Sequence, residues 1–191
     1  MLRLRQLSFE VSQIFNESQS SFSQYQHQTG LICLERCGAC CLSPEISATI
    51  LEMLPTAFDL LDKKMAIEVL TILEKLEYPR CFFYKAFNQD GTKGTCQNYQ
   101  HRPSVCRSFG AAAVKNKYGQ KAFSICKLIK HDHSELISKL NPEEAPVIGE
   151  YARKIMGLDP DLGTKVFPIN QALEKALLMI LQLQHYGDQN E

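Results

Sequence analysis

The stretch "CGACC", Cys37 to Cys41, constrains this chain more than any other feature. Three of its five residues are thiols, and Cys33 stands just upstream. Such a segment is a poor core pattern, because it lacks the bulky apolar side chains that build an interior. Cys81, Cys96, Cys106 and Cys126 complete a set of eight, and the first 32 residues and the last 65 hold none. That clustering marks a local site rather than a disulfide framework spread through the chain.

Compartment decides what such a site does. The opening "MLRLRQLSFEVSQIF" has early arginines, no uninterrupted apolar stretch and no small-residue cleavage site, so it does not read as a signal peptide. The late "ALLMILQLQHY" is too short and polar to span a bilayer. The expected location is cytoplasmic, with no membrane association. In a reducing compartment, grouped cysteines are more often metal ligands or redox groups than structural disulfides. Lys plus Arg and Asp plus Glu number 21 each, so no overall basic field argues for a nucleic-acid partner. A protein partner is left open.

Spacing narrows the chemistry. Cys37 and Cys40 have the two-residue gap of a tetrahedral metal site, with Gly38 supplying backbone freedom between them. Iron–sulfur clusters use thiolates at the same gap, so spacing does not separate zinc from iron. Cys40 and Cys41 are adjacent, and neighbouring side chains diverge on a strand or a helix. They either reach two metals, or one binds and the other packs. Eight thiols suffice for two four-thiolate sites, or for one cluster with ligands to spare. Cations follow the cysteines: Arg36 beside Cys37, Arg80 beside Cys81, Arg107 beside Cys106 and Lys127 beside Cys126. They would offset thiolate charge and favour the metal-binding form. His131 and His133, after Cys126, are the alternative nitrogen ligands, although a solvated turn explains them better.

These residues also carry a resemblance. "CGACC", the isolated Cys81, the stretch "CQNYQHRPSVCRSF" and the later Cys126 are similar to the YkgJ-type cysteine-cluster family. Cys37, Cys40 and Cys41 match its CxxCxxCC group, and Cys96, Tyr99, Arg102, Pro103, Cys106 and Arg107 match its long motif one by one. The first gap, Cys33 to Cys37, is one residue longer than usual. Asn98 stands in place of an aliphatic residue, and Gly110 in place of a proline. The resemblance spans about residues 33 to 130 and implies a zinc- or iron-chelating domain, with Cys33, Cys37, Cys40, Cys41, Cys81, Cys96, Cys106 and Cys126 as metal ligands. Tyr99, Arg102 and Arg107 are the candidates to donate hydrogen bonds to the sulfurs. Relatives are labelled iron–sulfur oxidoreductases, and a related cysteine region occurs in flagellin lysine methylases, so an iron–sulfur oxidoreductase or a related oxidative or methyl-transfer enzyme is the alternative to a metal-binding module. No nucleotide loop or other cofactor signature occurs.

Periodicity supplies the frame. Leu4, Leu7, Val11, Ile14, Phe15, Phe22 and Tyr25 predict an amphipathic helix that stops at Gly30. Ser43 and Pro44 read as the start of a second helix that Pro55 ends. A third is expected over Asp62 to Glu77, with Met65, Val69, Leu73 and Leu76 on one face. "CFFYKAF" reads as a strand before the turn "NQDGTKG", and "SFGAAAV" with "KAFSIC" as a hairpin. Helices are expected again over Pro142–Met156 and Asn170–Tyr186. The predicted fold class is mainly α with small irregular β elements, the helices surrounding a cysteine-rich metal-binding core. The expected organisation is an N-terminal helix (1–30), a cysteine-cluster domain (31–135) and a helical C-terminal appendage (136–191). The N- and C-terminal apolar stripes are expected to pack together.

Overall fold

The computed structural model describes residues 1–33, 37–76, 80–108 and 110–188. Arg36 and Glu77, invoked above, lie outside them. The chain is mainly α-helical with small antiparallel strand pairs. The first helix, α1 (Leu2–Thr29), buries Leu4, Leu7, Val11, Phe15, Phe22 and Tyr25, the stripe its sequence predicts. Gly30 ends it in the left-handed conformation at φ 72°, which glycine adopts without steric cost.

A short turn of helix, α2 (Ala39–Leu42), leads to strand β1 (Ser47–Thr49) and helix α3 (Ile50–Asp62). Here the expected start and stop are both corrected. Ser43 and Pro44 precede a strand, and the helix begins later, at a capping box in which Thr49 and Glu52 satisfy each other's backbone amides. Pro55 lies inside α3 rather than at its end. An interior proline costs about 3 kcal/mol. Burial of Leu51, Met53, Leu54, Ala57, Phe58 and Leu60 outweighs this, at roughly 1.5–3 kcal/mol for each large side chain. The left-handed Lys64 then breaks the chain direction, with Met65 N–H bonded to the Leu60 carbonyl. Helix α4 (Ala66–Leu73) is therefore shorter than the predicted Asp62–Glu77.

The middle of the chain is built of small pieces. Strands β2 (Tyr84–Ala86) and β3 (Gly94–Cys96) pair across the predicted turn, and helix α5 (Ser104–Ser108) follows. The predicted hairpin is present as β4 (Ala111–Lys115) and β5 (Lys121–Ile125). It leads into α6 (Lys127–Asp132) and α7 (Ser134–Ile137). The expected helix from Pro142 is a single 3-10 turn, Pro142–Glu144, followed by extended chain. That chain hydrogen-bonds to β4 through Pro146 and Ile148, so helix α8 (Glu150–Leu158) starts only after Gly149. Then come α9 (Pro160–Gly163), β6 (Val166–Pro168) and α10 (Ile169–Asp188).

Helix α3 is the centre of the fold. Both α1 and α10 pack chiefly on it, so the two terminal stripes are buried against α3 rather than mainly against each other. Strands β1 and β6 form an antiparallel ribbon, with Ala48 opposite Phe167. Each runs straight into a core helix, which sets α3 and α10 side by side. A smaller core under the β4–β5 hairpin gathers Tyr25, Leu31, Ala111, Ala113, Ile129 and Ala145. Among the described residues, no helix is long and apolar enough to cross a membrane.

Candidate metal centre

One face of α3 is polar, and it organises the cysteines. Glu52 and Thr56 stand one helical turn apart, with Asp59 just beyond. Glu52 is 7% exposed, and its carboxylate accepts from the Thr49 amide at 3.0 Å and from the Ser104 amide at 3.1 Å. It therefore caps two helices at once and fixes α5, which carries Cys106. Thr56 Oγ1 donates to the His101 carbonyl at 3.2 Å and accepts from Asn98 Nδ2 at 2.8 Å. Asn98, the departure from the family pattern, thus ties the stretch after Cys96 to the central helix.

Other anchors come from the flanking helices. Asn170 on α10 accepts from the Phe82 amide at 2.8 Å and donates to the Arg80 carbonyl at 2.9 Å, straddling Cys81. The Cys81 amide donates to the Cys41 carbonyl at 3.0 Å. Gly38 is left-handed at φ 61°, and a Cβ there would lie 2.5 Å from the Tyr84 ring, so only glycine fits this turn between Cys37 and Cys40. Cys126 heads α6, its amide bonded to the Gly110 carbonyl at 2.8 Å.

The result is two adjoining cavities walled by sulfur. A small one of about 20 Å³ is lined by Cys40, Cys41, Cys81, Cys96 and Cys106, together with Arg102 and apolar side chains. A larger one of about 330 Å³ is lined by Cys33, Cys37, Cys126 and again Cys40, Cys41, Cys96 and Cys106. All eight cysteines are free thiols. Cys81 is the one that is buried, and Cys33 is exposed. Among the described residues, no group of three or more His, Cys, Asp or Glu side chains stands placed to hold an ion as it is. The sulfurs share cavities without being drawn onto a common point.

The thiols are electrostatically unequal. Cys41 is hydrogen-bonded to both Cys40 and Cys96, which pushes its own proton affinity well up. The same bond, with help from the Arg102 charge, holds Cys40 down at about 6. Cys96 falls to about 7, first through Cys41 and then through the Asn98 backbone and Arg102. Burial drives Cys81 up to about 11 and raises Cys106 further.

The three polar candidates occupy different positions. Arg102 lines both cavities, its guanidinium stacks 3.6 Å over the Tyr99 ring, and its buried Nε has no hydrogen-bond partner among the described residues. A buried orphan donor beside thiols suits a sulfur acceptor. Tyr99 is 59% exposed and borders the larger cavity. Arg107 also borders it, but donates to the Arg102 and Gln100 carbonyls and lies 4.6 Å over the Phe15 ring. Burial, followed by the Arg102 charge, lowers its pKa to about 10. His131 faces Asp132 in solvent, and neither it nor His133 lines a cysteine cavity. Gln19 and Gln26 of α1 do line one, and sequence reading missed them because their helical spacing resembles that of any solvated face.

Free thiols from distant segments, converging on cavities that share Arg102, define a cysteine-cluster protein. The pattern of the CxxCxxCC family, described as a "putative zinc- or iron-chelating domain", matches residues 32–127, and the chain belongs to that family. No curated protein and no solved structure matches the chain.

Proposed function

We propose that this protein binds zinc or iron through cysteine thiolates, and that the metal organises the loops that carry them. The observation carrying this reading is the convergence of eight free thiols from separate chain segments on two adjoining cavities. The donor set suits zinc or iron in kind, since soft thiolates select these metals. The orphaned Arg102 Nε is a ready partner for a metal-bound sulfur. Binding would draw the sulfurs inward, each exchanging its proton for the ion. The smaller cavity has room for about one water-sized particle, which favours a single ion there over a multi-iron cluster. A shell closed by thiolates leaves no open position for substrate, so holding the metal is favoured over catalysis with it. The thiols would persist in a reducing compartment such as the cytoplasm.

The second reading, an iron–sulfur oxidoreductase, has the larger cavity in its favour. Anaerobic purification followed by metal and sulfide analysis separates the two. Colourless protein with bound zinc, or iron without acid-labile sulfide, supports the first reading; brown protein with iron and sulfide supports the second. Protein free of either metal contradicts both. Cys81→Ser is expected to lose metal, because Cys81 is the buried sulfur of the smaller cavity.

A further inference from the structure

The two cavities do not divide the cysteines evenly. Cys81 lines only the smaller, whereas Cys33, Cys37 and Cys126 line only the larger. The other four border both. The charge neighbours of Cys33 are Cys37, Cys40 and Cys126, while those of Cys106 are Cys81, Cys40 and Cys96. Cys41 is hydrogen-bonded to Cys40 and to Cys96 and lies beside Cys81. Cys37 and Cys40 share the two-residue gap that chelates one ion, and adjacent side chains such as Cys40 and Cys41 diverge.

We propose that the chain holds two metal ions: an inner one on Cys41, Cys81, Cys96 and Cys106, and an outer, exchangeable one on Cys33, Cys37, Cys40 and Cys126. This rests on the metal-binding reading above and adds number, partition and unequal access. The adjacent thiols Cys40 and Cys41 then serve different ions, and the pair marks the boundary between the sites. Each four-thiolate divalent site carries a net charge of about −2. Two such centres repel, and a cation between them relieves the repulsion. Arg102 stands there: it lines both cavities and acts electrostatically on Cys33 and Cys40 of the outer set and on Cys96 and Cys106 of the inner. Cys33 is exposed, so the outer ion faces solvent, whereas the inner one sits against buried Cys81 and the apolar core.

The test loads the reduced, full-length chain with Zn²⁺ under anaerobic conditions, removes the excess and counts zinc per chain. Release to a chromophoric chelator is then followed in time. The expected result is two zinc ions per chain, released in one fast and one slow phase. Cys33→Ser and Cys126→Ser should each abolish the fast phase and leave one slowly released ion. Cys33 is exposed, so its substitution leaves the core packing undisturbed. Cys81→Ser should remove the slow ion. One ion per chain that survives both outer substitutions would overturn the second site while leaving metal binding intact. One ion lost equally through inner and outer substitutions would show a single shared centre and overturn the partition. No bound zinc would overturn the two-ion proposal, and a chain that takes up neither Zn²⁺ nor Fe²⁺ under the same conditions would overturn the metal-binding reading itself.

Discussion

Along α3, Leu51, Met53, Leu54, Ala57 and Phe58 are closed off between α1 and α10. Along residues 94–102, by contrast, Gln97, Tyr99 and Gln100 are exposed, and the backbone is held by borrowed bonds. The Gln97 amide reaches the Phe83 carbonyl, Asn98 reaches Thr56, and the His101 carbonyl accepts from Thr56. The first region is stabilised by apolar burial along its whole length, roughly 25 cal/mol per Å². The second offers little apolar surface of its own, and its hydrogen bonds each contribute only about 1 kcal/mol net. A bound metal would therefore matter most in the second region: the helical region stands by packing, whereas thiolate ligation would add a cross-link between the cysteine-bearing loops.

The largest effect that sharpens this contrast belongs to the helical region. Leu54 is fully buried, and Leu54→Ala is expected to cost about 2–5 kcal/mol in chemical denaturation. Metal content of the protein that remains folded should not change. A proportional loss of metal would mean that the two regions are one cooperative unit.

Glu52 is where the regions meet. Glu52→Ala removes the carboxylate shared by the Thr49 and Ser104 amides and should cost about 1–3 kcal/mol. The Ser104 amide should exchange faster with solvent than in the parent protein. Unchanged exchange at Ser104 would show that α5 is held by something else. A smaller and more local effect is expected at Gly38. Alanine there must hold a left-handed backbone, at roughly 1–2 kcal/mol, and displace the Tyr84 ring. Gly38→Ala should lower metal affinity, measured by chelator competition, while helical circular dichroism stays constant.

The smallest effect is a pH dependence at the seam itself. Burial lowers the pKa of His101 below the ordinary histidine range, and Asp59 only partly opposes this. The unfolded chain then binds the proton more readily, so this contribution is present above the ordinary value and is lost as pH falls through the lowered one. Stability measured by denaturation should decline over that window, and His101→Gln should flatten the decline. An identical slope in the variant would remove His101 from the account.

Legibility in the sequence follows the same division. The α1 stripe and its Gly30 stop could be read directly, because burial on one helix face leaves a periodic trace. The α10 stripe was readable too, but its packing partner was not: stripes show that a face is buried, not against what. Around α3, two prolines gave strong local signals that tertiary packing overrode, while the Thr49–Glu52 capping box was present in the sequence and outweighed them. Strand β1 has three residues and a partner, β6, far along the chain, so no local pattern announces it. For the site, clustering singled out the eight cysteines as a group, and the family resemblance singled out the motif from Cys96 to Arg107. Neither could say which sulfurs share a cavity, since that depends on Asn170, Glu52 and Thr56, residues with no metal chemistry of their own.

On the proposed function, metal would order the cysteine-bearing loops while the helical region persists without it. Hydrogen exchange read by mass spectrometry tests this most directly, on the full chain as purified anaerobically and again after chelator treatment. Chelation is expected to abolish protection over residues 37–42, 81–108 and 126–132 and to leave α3 and α10 protected. Protection lost evenly across α3, α10 and the loops, or unchanged in all of them, would contradict it.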